Sequence, residues 1–336
     1  MGTERWKHFH KLASDLYLLA PWKLIEETDI FGITSPVSGT TWFISVMGSA
    51  GEFRALSAYE GSYALSRFWD LYDSDPDAAY SASVLTIPHM MLSFGSRELT
   101  DPEQAALLGD NPEGFGGEWP ELKRVVPGLL PVTPGDDFID EFILILEQSL
   151  HVLRRSMDDL NVFPPNGQEN VYLVREQGKG KTKAWKDKFK TVEDEPLPAA
   201  VEPNAELLKA LSVLPKGNTV LQWHCQMLPL PLKDKDRPAC FPFMVLLVNK
   251  RSGRVELQNL FTPFPDYVSM LGQLPGNLIA GLNQLGFRPR CIEVKDPLLF
   301  NMINDLLRSL GIGLVFKPRM TETEEAIEAV TKQLNK

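Results

Sequence analysis

Apolar positions along this chain recur with two periods, and the places where the period changes mark most of the expected elements. The clearest stretch is the last fifty residues. Arg290-Cys-Ile-Glu-Val294 is a short run with β-branched residues after Gly286 and Pro289, which predicts a strand opening behind a helix stop. Asp296-Pro297 then places a carboxylate at an N-cap and a proline at the first helical position, where a missing donor costs nothing. Leu299, Ile303, Leu306 and Leu310 follow at helical spacing, with Gly311 as the stop. Ile312 to Phe316 reads as a second short strand closed by Pro318, and Thr321 with Glu324 as a capping box opening a last helix. Two short apolar strands separated by a helix are expected as parallel neighbours.

The N-terminal half carries the same signals. Trp6, Phe9, Leu12, Leu16 and Leu19 form one helical stripe that Pro21 ends. Ile30–Thr34, Thr41–Met47 and Phe53–Tyr59 alternate as strands, and the Pro36, Ser38-Gly39, Gly48 and Gly51 between them predict an antiparallel meander. Tyr63 to Tyr72 reads as a helix before Asp73-Ser-Asp-Pro76. A further strand pair is expected within Ser83–Leu99, a short helix from Asp101-Pro102, and loop over Gly114–Pro134. A long helix over Asp136–Leu160 buries Phe138, Phe142, Ile145, Leu150 and Leu153.

Gly, Pro and charge then dominate. Asn161–Gly217 contains Pro164-Pro-Asn-Gly167, a basic stretch and Glu193-Asp-Glu195, with strand character only at Val171–Val174 and a helix at Asn204–Leu214. Beyond it come strands at Val220–Leu228, Phe243–Asn249 and Arg254–Phe261, the last two around Lys250-Arg-Ser-Gly253. A helical region broken at Pro275-Gly276 follows. The expectation is an α+β protein of two domains: 1–160 an antiparallel meander with helices, 161–217 a connector, and 218–336 a mixed sheet of β-β-β-α-β-α-β-α order. Both halves open with three strands and a helix, a pattern that a diverged duplication would leave.

Composition narrows the functional classes. At 336 residues, 43% hydrophobic and 23% charged, the chain is long enough for two cores and ordinary for a globular protein. The net charge of −10 argues against a surface that binds nucleic acid or anionic lipid throughout, while leaving room for a local basic patch. Cys225, Cys240 and Cys291 contain no CxxC pair and suit a reducing cytoplasm. No run reaches the roughly 18–20 apolar residues of a membrane span, and a signal peptide's basic head and apolar core are missing at the start, so no membrane partner is expected.

The element order from Asn218 onward resembles the ribonuclease H-like fold of nucleases, transposases and integrases. That resemblance implies carboxylates from the first strand, the end of the fourth strand and the last helix, holding two metal ions that clamp the attacking and leaving oxygens of a phosphodiester. Asp296 falls at the second position, and Glu324, Glu325 and Glu328, with Glu322, lie near the third. Trp223-His-Cys-Gln226 puts glutamine at the first. An amide cannot supply the negative charge that magnesium or manganese requires. Asp296 and Glu324 are also accounted for as helix caps. The whole chain further resembles uncharacterised bacterial two-domain proteins, on Pro21-Trp22, Val46-Met-Gly48, Tyr59-Glu-Gly61 and Gly286-Phe-Arg-Pro289.

Other constellations are less specific. Arg175–Lys190 sets Lys179, Lys181, Lys183, Lys186 and Lys188 around Trp185, the ingredients of single-strand nucleic-acid binding, though a solvated loop whose charge offsets an acidic protein accounts for them more simply. Gly178-Lys-Gly-Lys-Thr182 lacks phosphate-loop spacing. His224 and Cys225 are neighbours on a strand and point to opposite faces. His8 and His10 sit two apart on a helix, a poor metal pair. The expected function is therefore a non-catalytic bacterial protein, with no cofactor, that binds a protein or, through 175–190, a nucleic acid. The alternative is a divergent magnesium- or manganese-dependent nuclease or nucleotidyl-transfer enzyme.

Overall fold

Phe31–Thr34 (β1), Thr41–Met47 (β2) and Arg54–Glu60 (β3) pair antiparallel in sequence order, as the short Gly- and Pro-containing connections between them predict. The computed structural model describes residues 2–51, 53–74, 82–96, 118–164, 170–178, 183–193 and 203–334. It is an α+β molecule with seven α-helices and two mixed sheets among those residues. The chain divides into two compact units. One comprises Met1–Trp69, Ile87–Val126 and Pro131–Glu195; the other comprises Asp70–Thr86, Pro127–Leu130 and Pro196–Lys336.

The first unit extends the meander into a seven-stranded sheet of order β5-β4-β3-β2-β1-β6-β7. β4 (His89–Ser96) pairs with β3 on one side and β5 (Glu118–Val125) on the other, both antiparallel. β5 lies within the stretch expected as loop. Its Pro120 and its charged residues are compatible with a strand because it stands at the sheet edge, where a missing donor and solvated side chains are tolerated. The short helix expected at Asp101-Pro102 lies outside the described residues. On the far side, β6 (Val171–Gln177) pairs parallel with β1, and β7 (Trp185–Thr191) antiparallel with β6. This sheet is therefore mixed instead of a pure meander, and Val171–Gln177 and Trp185–Thr191 of the expected connector complete it. Their charge misled because an edge strand is solvated like a linker. α1 (Gly2–Leu19) and α3 (Asp136–Asp158) cover one face, where Phe9, Leu16, Phe142 and Leu146 meet Phe31, Ile44, Leu56 and Leu92. α2 (Gly61–Ser74) follows β3 directly.

The second unit holds a five-stranded sheet of order β10-β9-β8-β11-β12. β8 (Val220–Met227), β9 (Phe243–Asn249) and β10 (Val255–Phe261) are antiparallel. β11 (Cys291–Val294) lies parallel to β8, and β12 (Gly313–Phe316) parallel to β11. Four strands of each sheet share one arrangement: third, second and first antiparallel, then a later strand parallel to the first.

Alternation gives this sheet two faces. Leu221, Trp223, Val245, Leu247, Ile292 and Val294 point into a core closed by three helices. These are α4 (Ala205–Val213), α5 (Tyr267–Leu285) and α6 (Pro297–Ser309). The other face, Leu228, Met244, Leu246 and Val248, is met by Ile327 of α7 (Thr321–Leu334). α5 runs unbroken through Pro275 because Leu271, Leu274, Leu278 and Leu282 are all buried. Packing outweighs the one backbone bond that proline forfeits. Gly286 ends it in the left-handed region, as its position predicted. α7 opens on the Met320 carbonyl, which receives the N–H groups of Thr323 and Glu324, and Glu324 reaches Lys295 where a capping box was expected.

Candidate functional site

β8 is apolar on one face and carries Gln222, His224 and Gln226 on the other. Register places Gln222 beside Glu293 of β11, on the face that α7 covers. Gln222 is 1% exposed and Glu293 6%, so both must satisfy their polar atoms internally. The Gln222 amide nitrogen donates to Glu293 Oε2 at 3.2 Å and to Glu322 Oε2 at 3.0 Å. Its carbonyl oxygen accepts from the Thr323 hydroxyl at 2.8 Å. Lys250, just past β9, donates to Glu293 Oε1 at 2.7 Å. This network fixes which end of the amide is nitrogen, since only NH₂ can face two carboxylates. Burial would raise the Glu293 carboxyl, but the Lys250 ammonium and the Gln222 amide outweigh it and hold the group below its ordinary value. Lys250 is raised in turn, chiefly by its bond to Glu293.

The residues singled out from sequence lie outside that network: Asp296 follows β11, and Glu324, Glu325 and Glu328 are on α7. Asp296 accepts from the Leu298 N–H at 2.8 Å and so caps α6. Glu324 meets Lys295 at 3.3 Å. Glu325 and Glu328 are exposed on α7. His224 is buried, which lowers its pKa to about 4, and Lys295 adds to that while Asp296 and Glu324 oppose it, so the imidazole is neutral at ordinary pH. Its Nε2 faces Gln226 Oε1 at 3.3 Å. Cys225 points to the opposite face, and burial pushes its thiol up. Among the described residues, no three His, Cys, Asp or Glu side chains form a group that could hold a metal ion. The donor set around Gln222 does not fit the metal pair that the ribonuclease H resemblance implies. Between and beside the two carboxylates stand N–H donors, where a cation would need oxygen lone pairs. Gln222, Glu293, Lys250 and Thr323 escaped the sequence reading. The available signals were the polar alternation Gln222-His224-Gln226 and a glutamate inside the otherwise apolar Cys291–Val294.

The family described as Domain of unknown function (DUF7309) matches residues 6–175, half of the chain. The chain belongs to the DUF7309 family. A second family, Domain of unknown function (DUF6930), matches residues 207–331, which includes every residue of the Gln222 network. No curated protein matches the chain. Both families are described only by their unknown function, so neither match carries an activity and no catalytic role is shown.

The basic stretch, after its first residue Arg175, lies beyond the DUF7309 match. Lys179 and Lys181, with the Gly178–Thr182 glycine-lysine run apart from Gly178 itself, fall outside the described residues. Lys183 is exposed, with φ at 44°. Trp185 packs against the first unit's core beneath Arg175, 5.9 Å from its ring centre, so its indole face is taken. Arg175 is itself held by Gln148 and Asp187 at 2.9 and 2.8 Å. Lys186 and Lys188 stand on the opposite face of β7 with Lys190. Lys188 meets Glu176 at 2.5 Å, and Lys190 meets the same carboxylate. His8 pairs with Glu147 at 3.2 Å, whereas burial lowers His10 to about 4, so these two histidines serve different surroundings.

Proposed function

We propose that this chain is a non-catalytic, bacterial, cytoplasmic binding protein whose second unit has ribonuclease H-like architecture. In favour of that architecture stand the strand order β10-β9-β8-β11-β12, three antiparallel strands followed by two parallel to the first, and a last helix on the face opposite the other three. The absence of catalysis rests on one observation. Where first strand, fourth strand and last helix meet, a glutamine amide donates to both nearby carboxylates, and a lysine ammonium neutralises one of them. A site for two divalent cations needs several anionic oxygens with no competing internal cation. The three free cysteines accord with a reducing compartment.

The test is a cleavage assay on the purified full chain with magnesium or manganese. Single- and double-stranded DNA, RNA and an RNA–DNA hybrid serve as substrates. No cleavage above a protein-free control is expected. Metal-dependent cleavage that Glu293→Gln abolishes would establish the nuclease alternative.

A further inference from the structure

β7 is an edge strand, and its two sides are chemically distinct. The phase of its ladder follows from the bonds at its ends. Gly178 N–H donates to Ala184 O, and Val192 N–H donates to Asn170 O, so even-numbered residues face β6. The N–H and C=O groups of Trp185, Asp187, Phe189 and Thr191 therefore point to the outer side, where no strand pairs among the described residues. Lys186, Lys188 and Lys190 form a row on one sheet face, about 6.7 Å apart. On the other face Phe189 is 55% exposed.

We propose that this edge accepts an extended acidic segment of a partner protein as an eighth strand, with carboxylates at alternate positions facing the lysine row. The pairing chemistry is already present on the inner side. Glu176, on the neighbouring strand β6, binds Lys188 and Lys190 at once and is held below its ordinary pKa by them. An added strand would meet these lysines at non-hydrogen-bonded positions, where opposing side chains approach most closely. Its intervening residues would lie on the Phe189 side, so an apolar residue there completes the pattern. A second copy of β7 is the wrong occupant. Pairing outward residues with outward residues sets even positions against even, which puts lysine opposite lysine. Strand addition obtains affinity from main-chain bonds and specificity from alternate side chains. This inference names a partner class for the binding role proposed above. It concerns the first unit alone, so its failure and that of the non-catalytic reading are separable.

The test uses the full chain with a fluorescent peptide of alternating Glu and Val, its lysine-for-glutamate counterpart, and oligothymidylate. The acidic peptide alone is expected to bind, with affinity reduced at least tenfold by the triple change Lys186→Glu, Lys188→Glu, Lys190→Glu. Phe189→Pro removes one outward N–H while leaving every bond to β6, and should weaken peptide binding at least tenfold. In case that variant folds poorly, amide exchange on the unaltered chain gives the same answer: bound peptide should slow the Asp187 and Phe189 amides. Absent peptide binding, unchanged exchange at those amides, or oligothymidylate binding that Phe189→Pro leaves intact would overturn strand addition, the last in favour of a nucleic-acid backbone.

Discussion

Gln222 has two amide hydrogens, and both go to carboxylates, one buried and one half-buried. Its single oxygen takes the Thr323 hydroxyl, so one neutral side chain ties β8 to β11 and α7. Lys250 supplies the charge that makes the arrangement tolerable, since Glu293 lies almost wholly out of water. Removing the ammonium leaves a buried anion short of a partner, and Lys250→Met should cost about 1–3 kcal/mol at neutral pH. The pH dependence has a definite sign. Glu293 has a lowered folded pKa, so its contribution is present above its unfolded value and lost as pH falls through the folded one. Lys250 has a raised folded pKa, so its share is present below its unfolded value and lost as pH rises through the folded one. Urea midpoints of the unaltered chain and Lys250→Met should therefore differ most between the carboxylate and amine ranges and converge at both extremes. A constant difference through acid would refute the pairing.

At the scale of elements, local signals located most strands and helices, because caps and breakers act within a few residues. Asp296 caps α6 and Gly286 ends α5, each where its chemistry predicts, and Asn204, at the start of the expected helix, caps α4. Failures arose where tertiary surroundings overrode local preference. Pro275 sits inside a helix, and β5 and β7 carry the charge of edge strands. A third failure is topological. The short run Pro127–Leu130 belongs to the second unit, where Leu129 bridges Cys240 and the Gly128 N–H and C=O bond Leu85 and Phe241. No periodicity in four residues could announce that. Gly128 has φ at +76°, and a Cβ there would lie 2.8 Å from Pro263 and 2.9 Å from Phe243. Gly128→Ala combines left-handed strain with overpacking and should cost roughly 2 kcal/mol or more, read as a lowered urea midpoint. An unchanged midpoint would mean that this strand-like run is not fixed as described.

For the whole molecule, the sequence made the two-part α+β plan readable, together with the parallel pairing of β11 and β12. The candidate site was half readable. The ribonuclease H-like resemblance puts Gln226, through Trp223-His-Cys-Gln226, at the first acidic position, while the ladder register brings Gln222 level with Glu293. Register between strands seventy residues apart depends on how side chains pack across both faces, which no local window contains. Both routes arrive at glutamine, and with it at a site lacking the charge for paired cations. No helix among the described residues is long and apolar enough to cross a membrane. The most direct test is calorimetric titration of the full chain with manganese at neutral pH. The Gln222 network predicts no saturable heat from it. Stoichiometric binding that Glu293→Gln removes would contradict the account and return the second unit to the metal-dependent enzymes.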